Sequence, residues 1–343
     1  MRMSSSTTLI PTMIAVLRKI GPMPSSESNT SERNPSHEMM SGAGRGLATS
    51  ATSASERVKP LPRIIWMMWL QGLGAAPRIV KECHRSWVER NPGWEVRMLD
   101  LNSFRKYVDL DPVVGAGRAD LGPAHLADII RINLIADHGG VWVDGTCFCV
   151  RPLDEWLDEY CRVGFFAFLG QRKDTPMSNW FMASHPGCYL TQTIRDEVNW
   201  FWKHNSYPPG KRGLTYRMLK KLLNQNQETT RYWFSWPVRK GLKVLPYFWF
   251  QYMFAGLLRK DDRFRKIWED SPKLDAVVPH KLRTWGLLEP VTAEARKVID
   301  DRKDKVYKLT WKLKKFDAAC DGNTFPDDCL LDYVLRSLDK APC

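Results

Sequence analysis

An aspartate that closes a short apolar run is well placed for chemistry. In ADHGGVWVDGT, residues 136–146, Asp144 follows Val141, Trp142 and Val143 and is itself followed by Gly145 and Thr146. Its oxygens suit a hard divalent cation or the hydroxyls of a ribose, because carboxylates bind Mg2+ or Mn2+ together with substrate phosphates. Thr146 lies two residues on, so in an extended chain its hydroxyl faces the same side. Asp followed by Gly is also a strong turn signal, and an ordinary strand-terminal turn is the competing reading.

A second pair of chemical groups lies just upstream. In PAHLADIIRINLIADHGG, Leu126, Ile129, Ile130 and Leu134 mark the buried stripe of a helix, while Asp128 and Arg131 share another face at i, i+3. As a solvated pair they add about 0.2–0.5 kcal/mol to the helix. At the edge of a sheet they can do more, the acid taking ribose or base donors while the guanidinium forks onto phosphate or carboxylate oxygens. Gly139 fits a left-handed cap to this helix, and VWVD then runs as a strand into Asp144. That delivers the carboxylate at a strand's carboxyl end, where open α/β sheets bind ligands.

Other elements must position these groups. LPRIIWMMWL reads as a buried strand, Pro77 opens an amphipathic helix with Ile79, Val80, Cys83, Trp87 and Val88 on one face, NPGW ends it, and WEVRML is a second strand. Residues 62–100 therefore resemble a βαβ unit with a right-handed crossover and a ligand site at the strands' carboxyl ends. Trp66 and Trp69 fall on opposite faces of the first strand, so one belongs to the core, and the other can stack on a base or sugar. Beyond residue 150, GFFAFL is expected as a strand and HPGCYLTQTIRDEVNWFWKHN as a turn and helix; YFWFQYMFAGLLRK fits either a strand or a helix. KLTWKLKKF reads as the exposed face of a helix or strand, and PDDCLLDYVLRSLDK as a terminal amphipathic helix.

Bulk properties bound the function. The 343 residues are 43% hydrophobic, an ordinary share for a globular protein. Lys and Arg number 51 against 38 Asp and Glu, and the resulting +13 favours anionic partners. Eight cysteines with no CxxC or Cys/His spacing argue against a disulfide scaffold or a zinc module, and Cys147 and Cys149 are expected as buried free thiols. Residues 1–60 are rich in Ser, Thr, Met and Gly and are expected to be a disordered or targeting tail, with a sequon at Asn29 and no acid in the first 26 residues. LIPTMIAVL is too short to span a bilayer, and the cytoplasm, the secretory lumen and an organelle all remain open. QGLGAAPR carries G-x-G but has Pro77 in place of the third small residue, which argues against a dinucleotide fold. No P-loop, G-x-S-x-G or H-E-x-x-H occurs.

The blocks LPRIIWMMWLQG, CHRSWVERNPGWEVRMLD, AHLADIIRINLIADHGGVWVDGT and FMASHPG, in that order, resemble the capsular polysaccharide synthesis family of glycosyltransferases, related to DXD-containing sugar-binding transferases and glucosylating toxins. The resemblance covers about residues 61–290, and its specific core is the D-x-x-R helix followed by Gly-Gly, an aromatic and an aspartate. It implies an α/β fold: a GT-A-like, Rossmann-type mixed sheet flanked by helices over residues 61–315, with 316–343 as a C-terminal helical extension. It further implies a nucleotide-diphosphate sugar, with UDP the expected carrier, a glycan or polysaccharide acceptor, assistance by Mn2+ or Mg2+, and retention of anomeric configuration. By position, Trp69 resembles the aromatic that stacks on the base, Asp128 and Arg131 the nucleotide-sugar contacts, and Asp144 the first acid of DXD. Thr146 replaces the second acid, His280 resembles a late metal or phosphate contact, and Lys281 is its partner. Asp144 and Arg131 are then the catalytic pair, and Asp144, Thr146 and His280 the metal set.

Two other classes compete with a transferase. One is a catalytically weak nucleotide- or glycan-binding protein on a degenerate transferase fold, to which the Thr146 replacement points. The other is a basic protein associated peripherally with a membrane or acidic polymer through its positive charge. Specific nucleic-acid recognition is not expected, because no module for it is present.

Overall fold

The apolar run Ile64–Met68 forms strand β1, flanked in the sheet by a strand on each side, and its two faces pack into separate cores. The computed structural model describes residues 60–114, 121–207 and 213–339; of the expected tail over 1–60, residues 1–59, with the Asn29 sequon, lie outside the described residues. After β1, helix α1 (Arg78–Arg90) leads to β2 (Glu95–Leu99), and β1 and β2 pair in parallel with Ile65 opposite Val96. This is the βαβ unit expected from residues 62–100. Helix α2 (Pro123–Asp137) then leads to β3 (Gly140–Val143), which pairs in parallel with the other side of β1. Strand β4 (Cys147–Cys149) follows, and β5 (Phe165–Leu169) and β6 (Met177–Ser184) complete the main sheet. Its order is β2-β1-β3-β6-β5, with β6 antiparallel to both β3 and β5.

This topology sets up the site. The carboxyl ends of β1, β2 and β3 share one edge, and the antiparallel β6 brings its first residues to that same edge. Register then places side chains by face. Trp66 and Met68 point into a core with α2, α3 (Tyr189–His204) and α4 (Trp249–Lys260), whereas Ile65 and Met67 point into a second core with Trp87 of α1, Cys147 and Cys149. Each such side chain contributes about 1.5–3 kcal/mol by leaving water. The run YFWFQYMFAGLLRK, open between strand and helix in the sequence, is the helix α4.

The turn from α2 into β3 depends on two glycines. Gly139 and Gly140 have φ of +68° and +89°, which residues with a Cβ rarely adopt. A Cβ on Gly140 would lie 2.6 Å from the carbonyl oxygen of Ile64, and one on Gly139 would lie 2.7 Å from Pro186. The Gly139 carbonyl accepts a 2.9 Å hydrogen bond from the indole of Trp66, tying the turn to β1.

Helix α5 (Val277–Trp285), strand β7 (Val306–Lys308) and helix α6 (Leu330–Arg336) complete the fold. Strand β7 pairs antiparallel with β4, setting Lys308 opposite Cys147. The run KLTWKLKKF therefore departs from the expected exposed face: its first residue belongs to a buried ladder, with the Lys308 side chain only 13% exposed. In the segment beyond residue 315, Leu330, Leu331, Val334 and Leu335 share a core with Ile79 and Cys83 of α1 and with Leu282. Among the described residues no helix is long and apolar enough to cross a membrane.

Candidate active site

Asp128 and Arg131 are not a solvated pair. Nine consecutive residues of α2, Asp128–Ala136, are buried, because the helix is wedged between the sheet and the helices α3 and α4. The Arg131 side chain is 5% exposed and bridges two carboxylates: Nη1 donates to Asp128 Oδ1 at 2.8 Å and Nη2 to Asp144 Oδ1 at 2.9 Å. Helix pitch places Asp128 one turn before Arg131, and the β3 carboxyl end brings Asp144 to the other side of the guanidinium.

Further donors hold each acid. Trp142 lies two residues before Asp144 on the same side of β3, and its indole N–H donates to Asp144 Oδ1 at 3.1 Å while its ring lies 5.0 Å from the Arg131 guanidinium. Asn179, near the start of β6, donates to Asp128 Oδ1 at 2.8 Å and accepts a 2.8 Å bond from Gln251 of α4. Lys308 closes the other side of the cluster, its Nζ donating to Asp144 Oδ2 at 3.0 Å and to Thr146 Oγ1 at 2.8 Å.

These contacts set the charge states. Burial works to raise the Asp144 pKa, but the Lys308 ammonium and the Arg131 guanidinium outweigh it and hold the carboxyl below its usual range. Burial works against the Lys308 charge, yet Asp144 raises its pKa above the ordinary value. Asp128 goes the other way: burial pushes it up to about 7, against the pull of Arg131 and with the added repulsion of Asp144. The two acids of one cluster are thus driven apart, a pattern that marks functional sites as well as structural networks.

The expected site residues divide into two groups. Asp128, Arg131, Asp144 and Thr146 meet in one hydrogen-bonded cluster, and Trp69 flanks it: a Cβ on Gly145 would lie 3.6 Å from the Trp69 ring. Trp69 also meets the 40% exposed Trp311 edge-on at 5.7 Å. His280 and Lys281 have other partners. The His280 Nδ1 lies 2.8 Å from the Ala276 carbonyl, its ring packs edge-on against Trp180, and burial lowers its pKa to about 4. Lys281 is paired with Asp304 at 2.7 Å. Helix α5 turns both residues toward these neighbours, and among the described residues no group of three or more His, Cys, Asp or Glu gathers as a metal site.

Sequence reasoning missed Lys308, Asn179 and Gln251. Lys308 sits 164 residues from Asp144 in a basic run, where nothing local separates a buried lysine from solvated ones. Asn179 lies just ahead of FMASHPG, and the signal for it is the antiparallel return of β6 to the edge where β3 ends.

Comparison with known proteins gives this geometry a context. The family model described as capsular polysaccharide synthesis protein matches residues 28–237. Glycosyltransferase afumC of Aspergillus fumigatus is 33% identical over 103 residues, covering 27% of this chain and 26% of that protein. The initiation-specific alpha-1,6-mannosyltransferase of Candida albicans is 26% identical over 106 residues, 29% of this chain and 28% of that one. O-glycosyltransferase braB of Annulohypoxylon truncatum is 28% identical over 102 residues, 26% of this chain and 24% of that one. The chain thus spans about a quarter of the length of the curated relatives it matches. Among solved structures, the PaToxG glycosyltransferase aligns over 64% of this chain and 83% of its own, with a TM-score of 0.32 and 12% identity.

Proposed function

Because this chain belongs to the capsular polysaccharide synthesis protein family, we propose that it is a glycosyltransferase that moves a sugar from a nucleoside-diphosphate sugar, UDP-linked in the first instance, to a hydroxyl of a glycan or polysaccharide. One observation carries the reading: two carboxylates, a guanidinium and an ammonium converge beside Trp69 at the carboxyl edge of the parallel strands. This is where α/β sheets of this kind take their ligands. The three curated relatives above, named as a glycosyltransferase, a mannosyltransferase and an O-glycosyltransferase, support it.

In the proposed reaction the bond between the anomeric carbon and the diphosphate oxygen breaks, and its electron pair leaves with the diphosphate. The acceptor oxygen bonds to the anomeric carbon, and its proton passes to the departing nucleoside diphosphate. Negative charge grows on that leaving group, so donors fixed beside it lower the barrier if they bind the transition state more tightly than the ground state. Arg131 and Lys308 supply such fixed charge, Asp144 and Asp128 hold the guanidinium in place, and Trp69 offers a face to the base. Retention of anomeric configuration is proposed with this reading, on the resemblance to DXD transferases.

A divalent cation, implied by the same resemblance, does not fit the residues present. Asp144 Oδ1 already accepts from Arg131 and Trp142, Oδ2 and Thr146 Oγ1 accept from Lys308, and the Nδ1 of His280 is engaged by the Ala276 carbonyl. Mg2+ and Mn2+ require free oxygen donors in a near-octahedral set.

The test is a melting-temperature screen of UDP, GDP and their sugar conjugates, followed by donor turnover for wild type and Asp144→Ala. A ligand that binds the folded state raises its melting temperature. Turnover should fall at least about 100-fold in Asp144→Ala. Equal turnover in both proteins removes Asp144 from the reaction, and binding without turnover on any acceptor makes the chain a binding protein.

A further inference from the structure

The Asp-x-Thr spacing offers two oxygens to a cation, and a lysine from the far end of the chain bonds to both. We infer that the Lys308 ammonium takes the place of a divalent cation between Asp144 and Thr146, and that the protein binds and activates a nucleoside diphosphate without metal. This rests on reading the site as a nucleoside-diphosphate pocket.

Geometry supports the substitution. Lys308 Nζ lies 3.0 Å from Asp144 Oδ2 and 2.8 Å from Thr146 Oγ1, so it spans the two atoms that a metal would need. A divalent ion bound to the same oxygens would sit against an ammonium, and like charges that close in a partly buried site repel strongly. Lys308 is also held in place. Its backbone is fixed by the β4–β7 ladder opposite Cys147, and Val306 and Tyr307 beside it are buried.

The chemistry is also balanced. An ammonium has three N–H donors, and Asp144 and Thr146 use two of them, leaving one for a phosphate oxygen. Arg131 and Lys308 together place two unit charges on the Asp144 carboxylate, equal to the charge of one divalent ion. Asp144 becomes a positioning residue that orients both cations.

The full wild-type chain supplies the first test. After EDTA treatment, wild type should bind UDP or GDP in calorimetry, and turn over its donor, within about threefold of the values in Mn2+. A loss of more than tenfold in EDTA that Mn2+ restores overturns the inference. In Lys308→Ala, turnover should fall at least about 100-fold, and recover severalfold with propylamine, which returns an ammonium to the vacated space. Recovery with neutral propanol to the same extent overturns the role of charge. If no sugar nucleotide turns over and neither UDP nor GDP binds, the transferase reading fails, and the Lys308 assignment is read from the spin resonance of Mn2+ alone. Wild type should then leave Mn2+ free in solution; uptake of one Mn2+ by wild type, abolished in Asp144→Ala, overturns it.

Discussion

Replacing Asp144 with asparagine removes one charge and changes almost no volume, so it isolates the electrostatic role of the acid. In the native protein Asp144 accepts from Arg131, Trp142 and Lys308. After the change Arg131 keeps Asp128, but Lys308 keeps only the neutral Thr146 hydroxyl. Breaking a buried ion pair from one side costs about 3–5 kcal/mol. The Asp144 side chain is 30% exposed, and water screens part of the loss, so about 2–3 kcal/mol is expected for Asp144→Asn in urea unfolding. Adding Lys308→Met removes the stranded charge, and the double variant should recover about 1–2 kcal/mol relative to the sum of the single changes.

The pH dependence of that difference has a definite sign. The folded Asp144 pKa lies below its ordinary 3.8, so its contribution is complete at neutral pH and disappears as pH falls through the depressed value. The folded Lys308 pKa lies above 10.5, so its contribution is complete below 10.5 and disappears only as pH rises through the raised value. The advantage of wild type over Asp144→Asn should therefore stay level from about pH 8 to about pH 10, change between about pH 4 and about pH 8 as Asp128, whose pKa the Asp144 charge helps to raise, titrates, and collapse in acid. A single-variant cost under about 0.5 kcal/mol, or strict additivity with Lys308→Met, would refute the ion-pair argument.

Asp128, pushed up to about 7 from 3.8, binds a proton in the folded state that the unfolded chain has lost. Its contribution thus weakens stability as pH rises between those values, so Asp128→Asn should gain about 3 kcal/mol on wild type from pH 4 to pH 7; a pH-independent difference would contradict this. Gly140→Ala combines a positive φ with a 2.6 Å approach to the Ile64 carbonyl, and thermal unfolding should show a loss of about 2–4 kcal/mol. Burial raises the Cys147 and Cys149 thiols to about 12, so a disulfide reagent at pH 8 should label neither by mass spectrometry until the protein is unfolded. Labelling of either within minutes in native buffer would place them outside the core.

The local part of the site was legible because its residues carry their own geometry. D-x-x-R on a helix, two glycines and a strand ending in Asp144 fix spacing and face through helix pitch and strand alternation, and the structure brings Asp128, Arg131 and Asp144 together as those periods require. The burial of the Asp128–Arg131 pair was not legible, since a helix packed on several sides hides its polar face only once α3 and α4 are in place. His280 and Lys281 rest on position in a resemblance, and helix α5 sets the His280 Nδ1 on the Ala276 carbonyl and pairs Lys281 with Asp304. The free thiols Cys147 and Cys149 are buried, as the C-x-C spacing in an apolar strand suggested. Lys308 depends on a ladder between strands distant in sequence, for which no short pattern exists.

That distance has a consequence for synthesis. Until Lys308 emerges, 164 residues after Asp144, the growing chain holds two acids against Arg131 alone and carries an unbalanced negative charge where the sheet ends. Docking of the last strand neutralises it. A nascent chain stalled before β7 is therefore expected to hold this edge less firmly than a chain in which β7 has paired with β4.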